Sequence, residues 1–217
     1  MIERKKTKQV MVGNVPIGGG APVVIQSMTN TDTADVRATL YQIEELAQAG
    51  CQLVRVTVPD KAAAVALPQL IEASPVPLIA DIHFDYRLAL SALEAGIAGL
   101  RLNPGNIGDS ENVRQVARAA KEAGVPIRVG VNSGSLSKEV LARHGGVQAA
   151  ALVESAMHEI EQLETEDFTD IVVSLKASNV PLMLEAYRQL AGQVDYPLHI
   201  GVTEAGTPRR GSIKSAV

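Results

Sequence analysis

The chain has 217 residues, 46% hydrophobic and 20% charged, enough to bury a core and too apolar for disorder. Its net charge of -4 and 3% aromatic content without Trp argue against a nucleic-acid or anionic-membrane surface and against base stacking. A single cysteine, Cys51, excludes an internal disulfide framework and a chain-internal cysteine metal site. No apolar run approaches the roughly 20 residues of a membrane helix. The basic start, 1–8, lacks the apolar run of a signal peptide, so a soluble, cytoplasmic protein is expected.

Residues 9–12, Gly13-Asn14 and 15–17 read as a short hairpin, followed by the loop Gly18-Gly19-Gly20-Ala21-Pro22. The triple glycine lacks the last glycine of a dinucleotide fingerprint and precedes a strand, so it reads as a connection rather than a phosphate loop. From Val23 a unit recurs: apolar strand, polar turn, amphipathic helix, glycine stop. Strands are expected at 23–28, 52–58, 77–82, 98–103, 126–132, 170–176 and 197–203. Helices lie between them. In the first, Val36, Leu40, Ile43 and Leu46 fall at helical spacing ahead of Gly50. Others centre on 63–71, 88–95, 113–123, 149–163 and 181–191, where Pro181 suits a first turn.

Alternating strands and helices imply a parallel sheet, and near-continuous apolar runs such as Ile171-Val172-Val173 fit strands covered on both faces. Polar residues close nearly every strand. That favours a (β/α)8 TIM-type barrel over an open sheet, whose polar residues would gather at one switch point. The α/β barrel is expected to be incomplete, with about seven parallel strands and an N-terminal hairpin. The chain reaches Val217 just after the seventh strand's loop, with a seventh helix barely begun.

In the stretch Leu100-Arg101-Leu102-Asn103-Pro104-Gly105-Asn106-Ile107-Gly108, period-two alternation sends Arg101 and Asn103 to one face. Pro104 and the two glycines then turn the chain out of the sheet. A strand arginine is costly to bury unless it meets an anion. Barrel chemistry sits at the C-terminal strand ends, and there Arg55, Arg101, Arg128 and Lys176 converge from four strands, beside Asn103, Asn132 and Thr203. The acids Asp81 and Glu204 are too few to neutralise them. A surplus of cations favours a small polyanion, phosphate or diphosphate, gripped by planar guanidinium forks.

Glu204 could move a proton or could serve as counter-ion to Lys176 or Arg128, two readings that spacing does not separate. His83 shares a face with Asp81 and reads as a hydrogen-bonding wall. Lys176 could form a Schiff base if desolvated, although a diphosphate clamp fits better with arginines so near. Two motifs are decoys: 206–212 has P-loop glycines but no Lys before Ser or Thr, and His158-Glu159 lacks the second histidine of a zinc-protease helix. Cys51 sits at a helix-to-strand junction and reads as packing.

These residues, together with Val15-Pro16-Ile17-Gly18, Gln26-Ser27-Met28-Thr29-Asn30-Thr31, Ala80-Asp81-Ile82-His83-Phe84-Asp85-Tyr86-Arg87, Gly130-Val131-Asn132-Ser133-Gly134-Ser135-Leu136, Ser174-Leu175-Lys176-Ala177-Ser178 and Thr203-Glu204-Ala205-Gly206, resemble the bacterial 4-hydroxy-3-methylbut-2-enyl diphosphate synthase family. The resemblance implies reductive opening and dehydroxylation of 2-C-methyl-D-erythritol 2,4-cyclodiphosphate in non-mevalonate isoprenoid biosynthesis. Electrons would come from flavodoxin or ferredoxin through a [4Fe-4S] cluster.

It further implies that Arg55, Arg101, Arg128 and Lys176 hold the diphosphate and that Asn103 and Asn132 orient it. Asp81, His83 and Thr203 would line the pocket, with Glu204 as the acid-base residue. Family members continue into an eighth strand and a second, cluster-binding domain whose cysteines are not in this sequence, and they form homodimers in which that domain covers the partner's barrel. Residues 1–217 are therefore expected to be the substrate-binding barrel alone, inactive by itself and holding no cluster. Other readings are a phosphosugar lyase or aldolase using Lys176, and a non-catalytic diphosphate-binding module.

Overall fold

A computed structural model describes residues 4–103 and 107–216. The turn expected over 104–108 lies largely outside the described residues. The hairpin forms as read: β1 (Gln9–Val12) pairs antiparallel with β2 (Val15–Gly18). Next come β3 (Gln26–Met28), α1 (Val36–Gln48), β4 (Leu53–Thr57), α2 (Lys61–Ala73), β5 (Leu78–Asp81), α3 (Tyr86–Glu94), β6 (Gly99–Leu102) and α4 (Ser110–Ala123). The second half holds β7 (Ile127–Asn132), α5 (Lys138–His144), α6 (Ala149–Glu164), β8 (Ile171–Lys176), α7 (Val180–Ala191) and α8 (Pro208–Ala216). Strands β3 to β8 form one parallel sheet in chain order, curled as a half-barrel.

Local chemistry sets the boundaries. Asp35, Asp60 and Asp109 each accept a hydrogen bond from the third residue beyond them, Ala38, Ala63 and Asn112, satisfying orphan N–H groups where α1, α2 and α4 begin. Gly124 and Gly145 end α4 and α5 in the left-handed conformation. The sheet's outer face and the helices' inner faces share one core, in which Ile43, Val56, Leu67, Leu102, Ile127 and Val173 are fully buried.

The hairpin plugs the N-terminal end of the half-barrel. Val12 packs with Leu53 and Ile79, supported by Val15, Ile17 and Val24. The loop after it requires glycine at its start, because a Cβ on Gly18 (φ 75°) would lie 2.3 Å from the Lys8 carbonyl oxygen.

Three expectations need correction. The first strand of the sheet starts at Gln26 rather than Val23, and Val23 and Ile25 are exposed. The seventh strand, expected over 197–203, is reduced to one bridge between Leu198 and Val173. The last helix begins at Pro208 and is already well formed, while α5 was not anticipated. Among the described residues, β3 and the Leu198 segment leave the sheet open between them. No helix of the described residues is long and apolar enough to cross a membrane.

Candidate functional site

The parallel register builds the site in layers. Arg55 is level with Met28 and Ile79, Asp81 with Thr57 and Arg101, and Arg101 with Arg128. Alternation sends Val54, Val56, Leu100 and Leu102 to the helices and leaves the polar set on the concave face.

Asp81, 3% exposed, is the hub. Arg101 Nη1 donates to it at 3.0 Å, while Arg55 Nη1 and His83 Nε2 approach within 3.3 Å. Burial alone would raise the Asp81 pKa. The His83 hydrogen bond and the charges of Arg55 and Arg101 outweigh burial and hold it well below the usual carboxylate range. Arg101 also lies along the neighbouring strand, its Nη2 donating to the Gly130 carbonyl at 3.3 Å.

The other cations are poorly partnered. Arg55 Nη2 reaches the Met28 sulfur at 2.8 Å, and its buried Nε has no partner among the described residues. Arg128, 5% exposed, reaches only Gln26 Oε1, at 3.5 Å, leaving its Nε and Nη2 unpaired among the described residues. Burial, then the charges of Arg55 and Arg101, push Arg128 down to about 9; it keeps its proton at neutral pH. Lys176 is pushed down to about 8, by burial first and then by the three arginines.

Four cations thus face one ion-paired carboxylate. Glu159 on α6 does not redress the balance, since burial pushes it up to about 8 and leaves it neutral. Such a site is electrostatically incomplete without an anion.

The remaining expected residues are placed less uniformly. Asn103 is buried with its Oδ1 unpartnered among the described residues. Asn132 closes β7 in register with Lys176. Thr203 is half-buried and Glu204 is exposed, on the loop between the Leu198 bridge and α8. The structure therefore gathers Arg55, Asp81, His83 and Arg101 into one contact network, with Arg128 and Lys176 in its field; Glu204 is not a member of that network. Glu204 makes no ion pair with any of the four cations among the described residues, so the counter-ion reading finds no support. Its backbone is left-handed (φ 48°), a conformation that costs a non-glycine residue roughly 1–2 kcal/mol.

Sequence reasoning missed Gly130, His199 and Tyr187. Gly130 had a signal, since a glycine inside a strand marks a close approach: a Cβ there would stand 2.7 Å from Arg101 Nε. His199 faces the same charges; burial and then Arg128, Lys176 and Arg55 push its pKa down to about 2, so the imidazole stays neutral. The Tyr187 hydroxyl accepts the Leu175 N–H and donates to the His199 carbonyl, a tertiary contact with no local pattern.

The chain's donor set does not fit a [4Fe-4S] cluster. Cys51 is alone, half-buried between α1 and β4, and no group of three or more His, Cys, Asp or Glu among the described residues could hold a metal.

Residues 7–217 match the model of the GcpE TIM-barrel domain. The chain is 57% identical over 217 residues to the 4-hydroxy-3-methylbut-2-en-1-yl diphosphate synthase (flavodoxin) of Maridesulfovibrio salexigens, covering all of this chain and 61% of that one. It is 59% identical over 214 residues to the enzyme of the same name from Geobacter sulfurreducens, covering 99% and 61%. The chain thus spans about three fifths of the length of these relatives. Among solved structures it is similar to 3-dehydroquinate dehydratase from Geobacillus kaustophilus (TM-score 0.69, 17% identity, covering 95% of this chain and 81% of that one). It is also similar to Yersinia pestis dihydropteroate synthase (TM-score 0.64, 13% identity, covering 95% and 84%). These likenesses concern the fold alone.

Proposed function

The chain belongs to the GcpE TIM-barrel domain family, and from that premise we propose that it supplies the diphosphate-binding barrel of a 4-hydroxy-3-methylbut-2-enyl diphosphate synthase. The carrying observation is the set of four cations around a single ion-paired carboxylate, with buried guanidinium nitrogens of Arg55 and Arg128 lacking partners among the described residues. The substrate is 2-C-methyl-D-erythritol 2,4-cyclodiphosphate. Its conversion takes up two electrons and two protons, breaks the ring's carbon–oxygen bond to phosphate, expels one hydroxyl as water and leaves a linear diphosphate.

In that reaction Arg55, Arg101, Arg128 and Lys176 bind the diphosphate oxygens, and Asp81 holds Arg55 and Arg101 in their places. Asn103 and Asn132 orient the ligand, with His83 and Thr203 on the pocket wall. Glu204 delivers the proton to the departing hydroxyl. Flavodoxin would supply the electrons, as the relatives' names suggest; a [4Fe-4S] cluster that would relay them needs ligands from outside residues 1–217. A homodimer would bring a second body over the open mouth, where Phe84 is 76% exposed beside His83.

Anaerobic turnover of the full-length protein tests this reading. Glu204→Gln should lower kcat at least 100-fold with KM within threefold. Unchanged turnover in that variant, or no turnover of the cyclodiphosphate by the wild type, contradicts it.

The lowered pKa of Lys176 favours a second reading, a Schiff-base lyase acting on a phosphorylated carbonyl compound. Borohydride reduction in the presence of such a compound would then leave an adduct on Lys176. An unmodified Lys176 counts against it.

A further inference from the structure

The hydrogen-bond ladder between β8 and the 197–200 segment starts as a regular parallel pairing. Val173 N–H donates to the Pro197 carbonyl at 3.0 Å, and His199 N–H donates to the Val173 carbonyl at 2.8 Å. The next rung of such a ladder runs from Leu175 N–H to the His199 carbonyl. Here the Tyr187 hydroxyl, carried on α7, stands inside that rung: it accepts the Leu175 N–H at 2.9 Å and donates to the His199 carbonyl. Burial holds the Tyr187 pKa well above its ordinary value, so the oxygen keeps the proton it donates.

Two bonds in place of one spread the strands, and the pairing at Leu198 is the last bridge. The chain then runs past Lys176, close enough that a Cβ at Gly201 would sit 3.9 Å from Lys176 Nζ. Three residues later it presents Glu204 in its left-handed conformation. The other buried residues of α7, Met183, Ala186 and Leu190, are apolar. A phenylalanine at 187 would fill the same volume, so packing does not require the hydroxyl.

We infer that Tyr187 is a positioning residue whose hydroxyl, inserted as a rung between β8 and the 197–200 segment, sets the separation of Lys176 from Thr203-Glu204. It thereby fixes the distance between the diphosphate clamp and the acid-base end of the mouth. The functional half of this inference rests on the synthase reading above; the inserted rung does not.

Tyr187→Phe in the full-length protein tests both halves. Amide exchange at Leu175 should change at least tenfold, with exchange at Val173 within threefold of wild type. By calorimetry the cyclodiphosphate Kd should stay within threefold, because Arg55, Arg101 and Arg128 are untouched, while kcat falls tenfold or more at a KM within threefold.

A merely structural role would instead lower binding, thermal stability and kcat together, and that outcome overturns the proposal, as does a kcat within twofold of wild type. Unchanged Leu175 exchange overturns the inserted rung. Should the variant fail to fold, the wild type still decides: NMR should find the Tyr187 hydroxyl proton in slow exchange, and a rapidly exchanging one overturns the rung. A wild type that neither binds nor turns over the cyclodiphosphate removes the synthase reading, while Leu175 exchange still decides on the rung.

Discussion

At Gly130 a missing side chain decides where a charge on the neighbouring strand can lie. Arg101 crosses β7 only because nothing projects from residue 130, and an alanine Cβ would stand 2.7 Å from its Nε. The guanidinium is the flexible partner in that clash, so Gly130→Ala should cost little stability and instead displace Arg101. Losing one charge-assisted pair is worth about 1.5–3 kcal/mol, so diphosphate affinity should fall roughly 10- to 100-fold with Tm nearly unchanged; calorimetry beside a melting curve checks this.

Lys176 sets the pH dependence. In the free site it loses its proton near pH 8, and a bound dianion raises that pKa, so above pH 8 binding must take up a proton. Affinity should be flat below pH 7.5 and fall toward tenfold per pH unit above 8. Proton uptake should be measurable at pH 8.5 in two buffers of different ionisation enthalpy, and zero uptake would contradict this. The strand cations were legible because a charged residue in an apolar strand is conspicuous. His199 was not, because its surroundings come from other strands.

Among the elements, strands β4 to β8 could be read from their apolar runs, and helices α1, α4 and α7 from spacing and stop signals. The seventh strand was expected over Pro197 to Thr203 from its composition, but its reduction to one bridge could not be read, because a tyrosine hydroxyl from α7 occupies the rung that would extend it. Helix α5 was missed because seven residues with no buried side chain carry no periodic signal. Helix α8 was expected to be barely begun, because it too buries nothing and so carries no apolar periodicity. The caps make a direct test of the local account. Asp60 accepts the Ala63 N–H at the start of α2 and makes no ion pair with the four cations among the described residues, so Asp60→Ala should cost about 1 kcal/mol in urea unfolding and leave diphosphate affinity within twofold.

For the whole molecule, the contrast is between a net charge of -4 and a concave face holding four cations with a single ion-paired carboxylate among them. The barrel class was legible because strand and helix alternate along the entire chain. The barrel was also expected to be incomplete; among the described residues the sheet is open between β3 and the Leu198 segment, and Val23, Ile25 and Ile200 are exposed. The pairing of Asp81 with two arginines at once was not, since it needs the register of three strands.

In the proposed function the cationic face holds a diphosphate. Calorimetric titration of the full-length protein with 2-C-methyl-D-erythritol 2,4-cyclodiphosphate, in parallel with an Arg128→Met variant, tests it most directly. Binding should be saturable and one-to-one, weaken with salt and fall at least 30-fold in the variant. Equal affinity in both proteins, or no binding to the wild type, would contradict it.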